Sequence, residues 1–169
     1  MADLEARLRQ LEAKVQELTD KEEIRNLRYR YHEYVNEGRF KDIPELFTED
    51  ADLDFSHLGK AHGREAIAKF YGGIVGDGPA RESNRPRISF VKQFIHNHTI
   101  DLHGDHGHGV SYLEAKPIYG GEAFLVAARF NDDYAKVNGE WKFKKMALLP
   151  YFMVPLNEGW AQEDKIKMR

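Results

Sequence analysis

His96, His98, His103, His106 and His108, five of the eight histidines of this chain, fall within one stretch, FIHNHTIDLHGDHGHG, residues 94–109. Histidine titrates near neutrality and is also the commonest metal ligand, so such a cluster offers acid-base chemistry or metal chemistry. The His-X-His spacing of His96 and His98 on a strand would send both rings to one side and supply two ligands. A stable metal site needs a third His or a carboxylate aimed at the same point. The double-stranded β-helix metal pattern places a Glu four or five residues after the second His, where this chain has Leu102 and His103. No metal is expected, which leaves a pocket acid-base role or histidines satisfied within the core.

Strand parity divides the cluster. The even side, Ile88, Phe90, Lys92, Phe94, His96, His98, Ile100 and Leu102, is more apolar than the odd side, Ser89, Val91, Gln93, Ile95, Asn97, Thr99 and Asp101. His96 and His98 are therefore expected to face inward, unless a bulge exchanges the faces beyond it. His103, His106 and His108 surround a Gly-Asp turn and read as solvated.

Other chemistries lack their signals. The chain has no cysteine, which excludes disulfides, thiolate zinc sites and cysteine nucleophiles. It has no GxGxxG after a strand, no phosphate loop and no GxSxG elbow, so neither a nucleotide cofactor nor serine hydrolysis is expected. NDDY, residues 131–134, reads as an exposed strand end beside the turn VNGE, and Lys142, Lys144 and Lys145 read as a solvated face. Tyr29, Tyr31, Tyr34, Phe55, Phe70, Tyr71, Phe94, Phe130, Tyr151 and Phe152 would either wall a cavity fit for a flat or cyclic ligand or form plain core.

Periodicity gives the elements that must position these groups. Leu4, Leu8, Leu11, Val15 and Leu18 alternate spacings of four and three, the seam of a short heptad helix over 1–18. That arm either packs on its own domain or meets copies of itself. Asp20, with Glu23 three residues on, predicts a cap and a second helix over IRNLRYRYHEYVNEG. Ile24, Leu27, Tyr31, Tyr34 and Val35 share one face of it, and Gly38 stops it. Tyrosine hydroxyls on such a face need partners inside the core or a cavity to look into. FKDIPELF reads as a short third helix, DADLDFSHLGKAHG as a strand and turn, and REAIAKFYGGIV as a fourth helix. Residues 76–87, rich in Gly, Pro and Arg, read as an exposed loop. Four β segments then follow, separated by turn signals at HGDHG, YGGE and VNGE. Helices followed by an antiparallel meander define an α+β class, with the helices on one face of a curved sheet.

Size and charge bound the rest. A chain of 169 residues accommodates one domain, here 19–155, with the arm before it and a tail over 156–169. A net charge of -3 gives no footprint for polyanions, so nucleic acid is not an expected partner. The charged start is unlike a signal peptide, and no apolar run approaches the roughly 20 residues that span a bilayer. A cytoplasmic protein without a membrane partner is the expectation.

The order EEIRNLRYRYHEYVNEGRFKDIPELFTEDADLDF, GREAIAKFY, NHTIDLHGD and YAKVNGEWKFKKM resembles the SnoaL-like branch of the nuclear transport factor 2-like superfamily. The resemblance is to its scytalone dehydratase, bile acid 7α-dehydratase and hexachlorocyclohexane dehydrochlorinase group. It implies a cone-shaped α+β barrel, a curved and mostly antiparallel sheet wrapped by N-terminal helices around a deep pocket. It also implies cofactor-free lyase chemistry, often in trimers, with His and Asp as acid-base groups and tyrosines that polarise the substrate. Carried over, Tyr31 matches a helix tyrosine and Asn36 stands where the group has its helix-end Asp. The strand His of the group falls on Gln93 or on His96, depending on which member is followed. Ala115 stands where one member has a second Asp, and the neighbouring Glu114 faces away by parity.

The expected function is a cofactor-independent lyase acting on an aromatic or polycyclic small molecule. The reaction would be dehydration or a related elimination, including one that expels a fragment such as formaldehyde. His96 and His98 would move the proton, Tyr31 would bind or protonate an oxygen, and Asn36 would orient. Tyr34, Phe55, Phe94, Phe130 and Tyr151 would bind substrate, with Arg81, beside Arg85 and Arg87, closing over it or simply solvated. The alternatives are a polyketide cyclase or isomerase type of enzyme and a non-catalytic binding or assembly module. A homo-oligomer is expected, a trimer before a dimer.

Overall fold

The computed structural model describes residues 2–75, 87–161 and 166. Helix α1 (Ala2–Asn36) is followed by a 3-10 turn (Ile43–Leu46), strand β1 (Phe47–Asp54), a second 3-10 turn (Ser56–Leu58), strand β2 (Lys60–His62) and helix α2 (Arg64–Ile74). Four long strands complete the fold: β3 (Ile88–His103), β4 (His106–Tyr119), β5 (Glu122–Val137) and β6 (Glu140–Pro155). They form one sheet in the order β2-β1-β6-β5-β4-β3. The β1–β6 pair is parallel and every other pair is antiparallel. Register shifts in β3 and between β5 and β6 bend the long strands, as extra residues in a ladder do. The edges β2 and β3 do not meet, so the curved, cone-like sheet stays open.

The two expected N-terminal helices are one. Residues 2–36 contain no Gly or Pro and are rich in Ala, Leu, Glu, Lys and Arg, so nothing breaks the helix. Asp20 does not cap. Its carboxylate is buried and accepts hydrogen bonds from Lys136 Nζ at 2.6 Å and Trp141 Nε1 at 2.9 Å, which pins α1 to the β5–β6 hairpin. Gly38, at φ +70°, takes the left-handed conformation that ends the helix. The expected third helix is reduced to the 3-10 turn carrying Pro44.

The core lies between the helices and the inner sheet face. Ile24, Leu27, Tyr31 and Val35 of α1 and Ile67 and Tyr71 of α2 meet Phe47, Leu53, Leu113, Phe130, Phe143 and Met146 of the strands. Beyond Asp20 toward its start, α1 leaves the domain: Leu4, Leu8, Leu11, Val15 and Leu18 are 55–72% exposed. No helix among the described residues is long and apolar enough to cross a membrane.

Candidate active site

The C-terminal half of α1, helix α2 and the inner sheet face enclose a cavity of about 580 Å³, its open mouth included. Phe40, Phe55, Phe70, Leu113, Ala115, Val126, Leu148 and Met153 are among its apolar walls. Polar side chains reach it from Tyr31, Tyr71 and Gln93, and among the described residues none that lines it is a carboxylate. An apolar cavity with a few convergent polar groups is the usual form of a small-molecule site.

Tyr31 comes from α1 and Tyr71 from α2, and the Tyr71 hydroxyl donates to the Tyr31 hydroxyl at 3.1 Å. The Tyr31 proton is thereby left to face another acceptor. Burial pushes the Tyr31 hydroxyl up to about 12, against the opposing pull of the Tyr71 bond and Arg28. Burial likewise raises Tyr71 well above its ordinary value. Both are held protonated, so the pair donates hydrogen bonds and cannot serve as a base near neutrality.

Strand β3 reaches the cavity with a parity that differs from the expectation. One extra residue falls between Ile88 and Phe90 and another, Asn97 at φ +42°, between His96 and His98. The bulges send Ile88, Val91 and Gln93 into the cavity and bring Ile100 into the core, with the half-buried His98 packed on Tyr134. His96 and Phe94 are thrown outward, and both are exposed. His96 and His98 therefore face opposite sides of the sheet, and the expected inward pair is not formed.

Gln93 is the β3 residue that faces the site, and Asn36 fixes it there. The Asn36 side chain accepts from the Gln93 main-chain N–H at 2.7 Å and donates to the Gln93 carbonyl at 2.9 Å. These are the two places where the resemblance puts an acidic residue and a histidine. A histidine is supplied instead by α1: His32 Nδ1 lies 2.9 Å from Gln93 Oε1. With the amide oxygen accepting, Nδ1 carries the proton and Nε2 keeps its lone pair. Nε2 is buried and has no hydrogen-bond partner among the described residues. Burial, seconded by Arg28, lowers His32 to about 3, so the imidazole is neutral.

A second polar group fills the interior beside this site. The side chains of Arg28 and Asp132 are paired with no solvent exposure, and the guanidinium also lies 4.2 Å from the Phe130 ring centroid. The Tyr134 hydroxyl donates to Asp132 Oδ2 at 3.0 Å and meets His98 Nε2 at 3.1 Å. Burial, then Arg28 and Arg25, lowers His98 to about 4. The NDDY segment is thus not an exposed strand end: Asp132 and Tyr134 point into the core, while Asn131 and Asp133 turn to the other face, Asp133 to His108 at 2.9 Å.

The remaining expected residues are placed as follows. Phe55 lines the cavity. Phe130 is fully buried against Tyr31, His32 and Phe55, behind the cavity wall. Tyr34 is half-buried under the Arg39 guanidinium and does not line the cavity. Phe94 lies outside under Lys116, and Tyr151 is 52% exposed, so neither reaches the site. Arg81 and Arg85 lie outside the described residues. Arg87 donates to the Gly72 and Val75 carbonyls at the end of α2. Ala115 lines the cavity, and Glu114 faces out to Lys116.

An open α+β cone with a ligand cavity between its helices and its sheet is the class this fold and site define. The SnoaL-like domain profile matches residues 16–147, and the chain belongs to that family. No curated protein matches the chain. Among solved structures it is similar to a hexachlorocyclohexane dehydrochlorinase, LinA type 2, at 16% identity and TM-score 0.73, over 85% of this chain and 93% of that one. The type 3 enzyme from Novosphingobium barchaimii aligns at 17% identity and TM-score 0.72, over 91% and 99%. A provisionally assigned scytalone dehydratase from Novosphingobium aromaticivorans aligns at 19% and 0.68, over 90% and 96%. At these identities the likeness is one of fold.

Proposed function

We propose that the chain is a cofactor-independent lyase that eliminates water, or a comparable small leaving group, from an aromatic or cyclic molecule held in the cavity. The observation that carries this reading is an apolar chamber whose polar contacts are a protonated tyrosine pair on one wall and Gln93, backed by a neutral histidine, on another. Elimination needs a base for the C–H proton and an acid for the departing oxygen. When the Gln93 side chain swings aside it uncovers His32 Nδ1. In the tautomer with the ring proton on Nε2, Nδ1 takes the C–H proton, the C–H electrons form the double bond, and the C–O bond breaks. The departing oxygen receives its proton from Tyr31, whose hydroxyl is in turn bonded by Tyr71. Asn36 positions β3, and His98 belongs to the Arg28–Asp132–Tyr134 support.

The absence of a carboxylate among the described lining residues favours one other reading, a binding module of the same fold. A panel of aromatic and cyclic alcohols with an acidic C–H beside the carbinol carbon separates the two when followed for loss of water by mass spectrometry. Turnover that falls in both Tyr31→Phe and His32→Gln supports the lyase. Saturable binding with no turnover by any member supports the binding module.

A further inference from the structure

The start of α1 is an apolar stripe that no described residue covers. Leu4, Leu8, Leu11, Val15 and Leu18 are each more than half exposed, and residues 2–15 lie ahead of the family match. At 100° per residue the stripe centres about 160° around the helix from the face formed by Ile24, Leu27, Arg28, Tyr31 and Val35. That second face is buried in the chain's own domain. The helix is continuous between the two, so the stripe points away from its own domain and cannot fold back onto it.

The charges flanking the stripe say what covers it. With Leu8 and Val15 at heptad position a and Leu4, Leu11 and Leu18 at d, the g positions are Arg7, Lys14 and Lys21 and the e positions are Glu5, Glu12 and Thr19. Every g side chain is basic and no e side chain is. Parallel helices bring g against e of the next heptad, so Arg7 of one copy meets Glu12 of the other. Antiparallel helices would set the basic g rows against each other and the acidic e residues likewise. Lys14 and Lys21 pair with Glu17 within the helix at 2.8 Å and 2.7 Å, exposed contacts weak enough to exchange.

We infer that this arm binds the arm of a second copy of the chain in a parallel, in-register coiled coil. Two features make so short a seam workable. The helix is already nucleated by its domain-bound half, which removes the initiation cost that limits free helices of this length. The seam also ends where it must: the next a and d positions are Glu22 and Arg25, and Arg25 turns to pair with Glu22 at 3.2 Å where α1 enters the domain.

The chain has no cysteine, so single-cysteine variants report arm contacts directly. In the full-length protein, Leu4→Cys at one end of the seam should form a disulfide-linked dimer under mild oxidation. Ala13→Cys, on the opposite helix face, should stay monomeric in the same assay. Adding Leu8→Glu and Leu11→Glu to Leu4→Cys should lower the cross-linked fraction at least tenfold while the domain's thermal transition stays in place. Equal cross-linking of Leu4→Cys and Ala13→Cys, or none from Leu4→Cys, overturns the inference. Cross-linking only between Leu4→Cys and Leu18→Cys chains would mean antiparallel arms and overturns it as well.

Discussion

Arg28 of α1 and Asp132 of β5 form an ion pair in which neither side chain has any solvent exposure. Two buried charges of this kind are tolerable only together: truncating one strands the other, whereas replacing both with apolar groups need not destabilise. Arg28→Met alone should lower the free energy of unfolding by about 3–5 kcal/mol. The double variant Arg28→Met/Asp132→Leu should regain most of that loss. Urea denaturation of the two variants beside the parent checks both statements, and a double variant no better than the single refutes the second.

Acid should weaken the fold through two histidines. His32 and His98 titrate at about 3 and about 4 when folded, because burial and Arg28 oppose their charged forms. Released into water, an imidazole titrates near ~6.5, so the unfolded chain binds protons that the folded chain refuses. The stability from these depressed values is complete above about pH 6.5 and drains as pH falls toward the folded values. His32 alone steepens the slope by up to ~1.4 kcal/mol per pH unit inside that window. Urea midpoints measured from pH 7 to pH 4.5 should fall in the parent and fall less steeply in His32→Gln/His98→Asn.

Turnover, once a substrate is in hand, should depend on the inner residues and not on the exposed histidine. Tyr31→Phe removes a preorganised donor and should lower kcat by about 10²-fold or more. Tyr71→Phe, one bond removed, should lower it less. His96→Ala should leave kcat and KM unchanged, since His96 is exposed on the outer face. A large loss in His96→Ala would refute this placement of the site.

The cavity can be closed from its wall. Ala115 is 4% exposed and lines the chamber, so Ala115→Met should occupy ligand space at modest cost to stability. Ligands that raise the parent's Tm by several degrees should no longer do so in the variant, as read by thermal-shift titration.

Gly109 should tolerate no side chain. A Cβ there would stand 2.9 Å from both His98 Nε2 and Tyr134 Cε2. Gly109→Ala should destabilise by about 1–3 kcal/mol, the usual cost of overpacking. Chemical denaturation measures it, and unchanged stability would show that His98 and Tyr134 can step apart.

The fold class and element order are legible in the chain because periodicity is local: helical spacing in α1 and α2, turn signals between long strands. The Tyr31 and Phe55 contributions to the cavity follow from the same spacing. The buried ion pair is legible in the same way. Arg28 sits within the apolar series Ile24, Leu27, Tyr31, Val35, and Asp132 continues the alternation Phe124, Val126, Ala128, Phe130 on the inner face of β5. A charge on each of two apolar faces asks for the other. His32 is not legible in this way, because its partner Gln93 lies on the side of β3 that unbroken parity turns outward. Strand parity fails between the bulges at Ser89 and Asn97, because a bulge is a property of pairing with β4, which no single strand announces.

Gln93 and His98 are five positions apart on β3 yet both turn toward the interior, an odd separation that an unbroken strand forbids. Asn97 is what permits it. Deleting that one codon would bring the separation to four and make His96–Tyr112 and His98–Ser111 plain consecutive rungs, so Gln93, His98 and Ile100 would keep the faces they have now. The strand thus carries one residue of slack at this point, whereas losing a paired residue of β3 would exchange inside for outside beyond it and present the chamber with a different set of side chains at once.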